Sequence, residues 1–356
     1  MKRFSLIILV VFILFSCKKE NTSKTLIKHS PKVIEKINIQ EFKVDSSSIR
    51  AILPLSKKEV AFAGSHGKVG ILKDDGSFVY LKKIKFNDSI TPHFRSLATN
   101  NKDLFALSIV NPALLYKISE IKDDKIVYTE EHEKVFYDSM KFFEDGIHGI
   151  AVGDPTENCP SIITTENGGE NWTKLPCSQL PKFEDGEAFF AASNTNIAIV
   201  NRTIWIASGG KKARILKSAD YGKTWEVFNT PIVQGDGPQG IYSIDFYDDN
   251  NGIIIGGNYA KPNDNCANKA ITKDGGKTWT IVADNVNPNY KSCVQYVPNS
   301  NGKEIFAVGK TGISYSNDGG MTWNDISNES YYSISFVDRN TAWLSGNNKL
   351  GKLILK

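Results

Sequence analysis

Histidine and cysteine are scarce, with five of each in 356 residues. The histidines (His29, His66, His93, His132 and His148) stand singly. No haem-attachment motif accompanies them, so the usual sequence basis for a redox cofactor is missing. Only His66 and His93 are worth following further. No Gly-x-Gly-x-x-Gly follows a strand and no nucleophile elbow is present, which leaves no dinucleotide fingerprint and no serine triad to build on. Excess charge is lacking too. Basic residues number 43 against 39 acidic ones, and two of the basic residues, Lys2 and Arg3, lie in a segment expected to be removed. The balance gives no electrostatic case for nucleic acid. Pairs such as Lys82-Lys83 and Lys211-Lys212 read as solvated loop charges. The apolar run Leu6–Phe15 is shorter than the roughly 20 residues a membrane span requires.

What that run does suit is a secretory signal. Two positive charges precede it, and Leu14-Phe15-Ser16-Cys17 follows with the form of a bacterial lipobox. We expect a lipoprotein signal peptide over 1–16, and a lipidated Cys17 opening a flexible tether over 17–32. The folded part is then 33–356. Acyl chains on Cys17 would anchor the protein to a bacterial membrane, each buried CH₂ contributing about 0.8 kcal/mol. Localisation is therefore expected to be exported and membrane-attached, in the outer membrane with a periplasmic or surface-facing orientation.

Beyond the tether one word recurs four times: Ser/Thr-x-Asp/Asn-x-Gly-x-Thr/Asn-Trp. The copies carry Asn167, Gly169 and Trp172; Asp220, Gly222 and Trp225; Asp274, Gly276 and Trp279; and Asp318, Gly320 and Trp323. Each lies between two strand-like runs. An Asp or Asn side chain accepts from backbone N–H groups two residues on and closes a turn. The Gly supplies positive φ, and the Trp starts the outgoing strand with a large buried area. Calcium is a poor alternative, because each copy holds at most one carboxylate inside the turn while calcium takes six to eight oxygens.

The word is that of the Asp-box, or bacterial neuraminidase repeat, and the chain resembles the β-propellers that carry it. Within that group it is similar to the photosystem II stability/assembly factor family, whose blades read aromatic-Arg/Ser-x-Ile-x-Phe, then Gly-x-x-x-Gly, then Asp-Gly-Gly-x-Thr-Trp. A second word opens each unit, at Ile49, Phe94, Tyr137, Phe189, Ile241, Ser292 and Tyr331. The spacings of 39 to 52 residues suit four-stranded blades. Seven openings predict an all-β, seven-bladed β-propeller with Asp-box turns between the third and fourth strands. The last unit runs out after three strands, so Glu35–Val44 is expected to supply its outer strand and close the ring, removing two exposed edges.

In that layout the openings meet at one mouth of the central channel and the Asp-boxes lie on the opposite rim. The expected binding rim is Arg50, Arg95, Asp138, Arg214, Tyr242 and Tyr332, with further residues from the loops at His66, Asp154 and Tyr259. Of the three pairings open to Cys159, Cys177, Cys266 and Cys293, analogous placement favours Cys159–Cys177 and Cys266–Cys293, as export permits. The intervals are unlike paired zinc knuckles. No cofactor and no metal are expected. The family resemblance implies a scaffold role, since an arginine-rich patch on those propellers is implicated in holding a polypeptide. We therefore expect a non-catalytic, monomeric propeller that binds a protein or peptide and has no nucleic-acid partner. The alternative is a sialidase-like glycoside hydrolase, with Arg50, Arg95 and Arg214 as a carboxylate-binding triad and Asp138, Glu187 and Tyr242 near the reacting bond. The Arg-Ile-Pro-type opening of such enzymes is absent.

Overall fold

The computed structural model describes residues 30–34, 36–121 and 123–355. The expected signal peptide, Cys17 and most of the tether lie outside them. The described residues are almost entirely strand and turn. Second strands such as Gly149–Gly153, Gly252–Asn258 and Ile305–Gly309 are buried along their whole length. This is why they appear in the sequence as short unbroken apolar runs. Outer strands such as Phe78–Lys83 are largely exposed and alternate.

Strand pairing gives six sheets, which corrects the seven-bladed expectation. Five sheets have innermost strands that begin at Phe94, Tyr137, Ile197, Gln239 and Cys293. The sixth has the order Ser333–Phe336, Thr341–Ile354, Asn38–Pro54, Glu59–Gly64, Lys68–Lys73, Phe78–Lys83. The openings at Ile49 and Tyr331 were counted as two blades, yet both lie in this sheet. The 17-residue strand Asn38–Pro54 runs through the boundary between them. Its first half pairs antiparallel with the end of the chain, from Asn38 opposite Ile354 to Lys43 opposite Lys349, so an N-terminal strand does close the ring. Its second half pairs with Glu59–Gly64. The innermost strands touch in a closed circuit, from Asn38–Pro54 through Phe94–Thr99, Tyr137–Phe142, Ile197–Val200, Gln239–Phe246, Cys293–Tyr296 and Ser333–Phe336 back to the start.

The repeated turn explains its own spelling. In the third copy the Thr272 hydroxyl donates to Asp274 Oδ1 (2.8 Å) and accepts from the Gly276 N–H (3.0 Å). Asp274 Oδ1 accepts from the N–H groups of Lys277 and Thr278, and Oδ2 from the Thr278 hydroxyl at 2.6 Å. Gly275 and Gly276 have φ of 72° and 85°. Trp279 is buried, donates from Nε1 to the Gly276 carbonyl (3.0 Å) and meets Phe246 edge-on. The turn also reaches the preceding sheet: Trp205 Nε1 donates to the Gly275 carbonyl at 2.8 Å. The copies at Asp220 and Asp318 repeat the carboxylate bonds and the Trp bond. With Asn167 in place of Asp the first copy is poorer, and Trp172 Nε1 has no partner.

The second word is equally physical. Its third position is Ser96, Ser139, Ser243 or Ser333, each buried. Ser243 Oγ accepts the Val294 N–H of the next sheet at 2.9 Å, linking neighbouring innermost strands. Cys293 takes the same place in its strand, with Sγ 3.7 Å from the Ile334 carbonyl. Its side chain therefore points between sheets, while Cys266 lies exposed on a loop and both are free. The expected Cys266–Cys293 disulfide is thus corrected; Cys159 and Cys177 are bonded, with Cα atoms 5.6 Å apart.

Candidate functional site

The site starts from β-bulges. The register of the innermost strand slips between Ile49 and Ala51, between Phe94 and Ser96, between Tyr137 and Ser139, and between Ile241 and Ser243. The skipped residues are Arg50, Arg95, Asp138 and Tyr242. A bulge re-aims a side chain that would otherwise follow the alternation of the strand. Arg50, Arg95 and Tyr242, together with Tyr332, line one cavity of about 480 Å³ at the channel mouth. Asp138 is entirely buried and is not in its wall.

A segment of the chain crosses the channel below this cavity. Residues 189–192 were expected to open a blade, but the innermost strand of that sheet is Ile197–Val200. Residues 189–196 form a strap instead, following the short strand Glu187–Ala188 that pairs with Gly209–Gly210. Phe190 of the strap stacks on Tyr242, with ring centroids 4.0 Å apart and planes 6° apart. It lies so close to Gly209 that a Cβ there would come within 2.3 Å of the ring. Ser193 Oγ donates to the Ser292 carbonyl, and Thr195 Oγ1 shares a hydrogen bond with Ser243 Oγ. Asn194, at φ 61°, donates to the Leu97 carbonyl and accepts the Met140 N–H. Four sheets thus grip one segment. The strap divides the channel: Ala191 and Ala192 line the arginine cavity, and Ser193, Asn194 and Thr195 line a second cavity of about 320 Å³ on the other side.

Strap and arginines are connected. Arg50 Nη1 donates to the Ala192 carbonyl (3.0 Å), and its guanidinium lies 4.1 Å from the centre of the Tyr332 ring. Arg95 Nη1 donates to the Ala191 carbonyl (3.1 Å), with the Phe136 ring at 6.0 Å. Neither has an acidic partner within salt-bridge distance among the described residues. Burial, and then repulsion from Arg50, lower the Arg95 pKa to about 10; burial likewise lowers that of Arg50. Both remain charged at neutral pH, with donors left to offer. Tyr290 and Tyr259 meet Tyr242 edge-on, and Lys310 and Asp154 complete the wall. The cavity is lined by aromatic rings and three basic side chains, with Asp154 the acidic residue among them.

Arg214 does not join it. Its Nε and Nη2 donate to the two carboxylate oxygens of Glu187 at 3.0 and 2.5 Å, and Nη2 also donates to the Lys182 carbonyl. This forked pair fixes the start of the strap, and its geometry satisfies the guanidinium. The three-arginine arrangement that a sialidase-like site would require is therefore not assembled. The parts that sequence reasoning missed are the strap with Phe189 and Phe190, and Tyr290 and Lys310 from distant loops. The one signal for the strap was the poor match of Phe189–Ala192 to the opening word.

No model of a known protein family matches the sequence, and no curated protein matches it. Solved structures do. YCF48 bound to D1 peptide superposes with a TM-score of 0.63 at 13% identity, over 92% of this chain and 100% of that one. The WD40 repeats of RRP9 give 0.64 at 11% identity, over 90% and 100%. The WD40 β-propeller domain of Doa1 gives 0.62 at 10%, over 91% and 98%. The chain is a β-propeller. At these identities the likeness is one of fold alone, so the argument about function rests on the propeller's own mouth.

Proposed function

We propose that this propeller is a non-catalytic, lipid-anchored scaffold of the bacterial envelope that binds a protein or peptide at the Arg50/Arg95 mouth. The repeated turn is on this reading an Asp-box, and Cys17 carries the lipid. One observation carries the reading: two neighbouring guanidiniums that make no salt bridge among the described residues sit in an aromatic-lined cavity of about 480 Å³. A guanidinium fork suits carboxylate or backbone carbonyl groups, and tyrosines supply contact area with a polar tip. The strap carbonyls of Ala191 and Ala192 already show the arginines receiving peptide oxygens. That YCF48 is seen with a peptide bound supports the same direction. The test is capture of a partner from host membranes by the mature protein and by an R50A/R95A variant. The variant is expected to keep its melting temperature and lose the partner. Equal capture by both would overturn the assignment of the mouth. Sialoside hydrolysis by the wild type, lost in the variant, would replace a scaffold by an enzyme.

A further inference from the structure

The mouth holds acid as well as base. Asp154 lines the same cavity as Arg50 and Arg95. Its Oδ1 accepts the N–H of Phe189, the first residue of the strap, at 2.7 Å, and it makes no salt bridge among the described residues. Behind it Asp138 is fully buried, with the Ala191 N–H and the Arg95 charge as its only favourable neighbours among the described residues. The charged and titratable groups around Asp154 are Asp138 on its own sheet, Arg95 and Arg50 on the two preceding innermost strands, and Tyr242, Tyr259, Tyr290, Tyr332 and Lys310 across the cavity. Glu187, two residues before Phe189, is already held by Arg214. His93 lies next to Arg95, and its ring centroid is 5.1 Å from that of His66.

We propose that an acidic ligand and a proton bind this mouth together, the anion held by Arg50 and Arg95 driving protonation of Asp154. The proposal rests on the mouth being the binding surface. An anion brought beside a desolvated carboxylate disfavours its charged form. Coupling of this kind is reciprocal, so protonated Asp154 favours the anion by the same factor. Asp138 is not the responsive group: burial, then the Asp154 charge, keep its pKa well above the usual carboxylate range, against the pull of Arg95. Burial pushes Asp154 to only about 6, against the Phe189 hydrogen bond, so its proton is within reach of ordinary conditions. The sign follows. The pKa in the occupied site lies above that in the empty one, so affinity is weakest at alkaline pH and rises as pH falls through the occupied value and then the empty one. If occupancy raises the pKa by about one unit, the gain is about tenfold. The neutral acid can still accept the Phe189 N–H, so the strap stays tied.

The test is calorimetric titration with N-acetyl-phenylalanine, a small probe carrying both a carboxylate and an aromatic ring. It uses the wild type, D154N and R50A/R95A between about pH 5 and about pH 8, in two buffers of different ionisation enthalpy. Asn at 154 keeps an acceptor for Phe189 and removes the titration. The wild type is expected to bind about tenfold more tightly at the acid end and to take up a fraction of a proton per ligand in between. D154N is expected to bind with one affinity throughout, near that of the wild type at low pH. A pH-independent wild-type affinity, or full pH dependence retained in D154N, would overturn the coupling. The second result would place the titrating group elsewhere in the mouth. Binding that survives in R50A/R95A, or no wild-type binding at any pH, would overturn the mouth reading and the coupling together.

Discussion

Asn194→Ala tests how firmly the strap is held. Asn194 is buried, in a left-handed conformation, and bridges two sheets through Leu97 and Met140. Alanine removes both bonds. The Met140 N–H then has no partner in a fully buried position, a loss of about 1–3 kcal/mol. The Leu97 carbonyl loses the Asn194 amide donor as well. A non-glycine, non-asparagine residue at positive φ adds about 1–2 kcal/mol. The sum is about 3 kcal/mol, or roughly 6 °C of melting temperature in a chain of this size. Urea unfolding followed by tryptophan fluorescence reads it as a lower midpoint with an unchanged slope. Asn194→Gly separates the two contributions: it loses the hydrogen bonds but not the backbone compatibility, and should be about 1 kcal/mol milder than alanine. A loss below about 0.5 kcal/mol for Asn194→Ala would mean that the strap is not clamped as described, and the explanation of how the arginines are positioned would fall with it.

Three further expectations concern the frame. Trp279→Ala should cost about 3–5 kcal/mol in the same urea assay, as for a buried aromatic; a neutral result would contradict its burial against Phe246. Cys159→Ser should cost about 2–4 kcal/mol, and thiol labelling of the native protein followed by peptide mapping should mark Cys266 and leave Cys293 unmodified until unfolding. Acid should weaken the repeated turns. Desolvation pushes Asp274 up, but the Thr278, Thr272 and Lys277 bonds outweigh it and hold the carboxyl at about 2, with Asp220 and Asp318 also lowered. A depressed carboxylate contributes fully above its unfolded value near 4 and loses that contribution as pH falls towards 2. Asp274→Asn should therefore be less stable than wild type at neutral pH, with the gap closing over that window; a constant gap would show that the charge plays no part.

Much of the fold was legible because its instructions are local. The turn word can be decoded one residue at a time: the Asp274 carboxylate, two glycines of positive φ, and Trp279 all act within one hairpin. The arginines of the mouth were legible for a related reason. Arg50, Arg95 and Tyr242 share one place in a repeated word, and that place is a bulge. The remaining features depend on distant partners. Phe189-Phe190-Ala191-Ala192 resembles an opening, and the grip of the following Ser193, Asn194 and Thr195 on Leu97, Met140, Ser243 and Ser292 leaves no pattern in the sequence of the strap. Cys293 could be placed near a loop, but the direction of its side chain depends on Ser333 and Ile334 in another sheet. Arg214 was expected at the rim because it follows a rim loop, yet Glu187, just before the strap, draws it away. The sheet count failed because openings mark innermost strands, whereas sheets are bounded by pairing, and Asn38–Pro54 pairs on both sides.

The closing strand also sets a timetable. Ser47 and Asn348 are joined by a hydrogen bond across 301 positions, and the ladder beside it runs on to Ile354. Contacts of such sequence separation cost loop-closure entropy before they reward it, so this pairing is expected late in folding. Until it forms, Phe42 and Val44 lack Trp343 and Leu350, which share their cluster in the closed ring, and two sheet edges stay open. The ring is thus sealed by one of its most distant pairings, and a chain in which Asn38–Lys43 has not met Lys349–Ile354 keeps two adhesive edges.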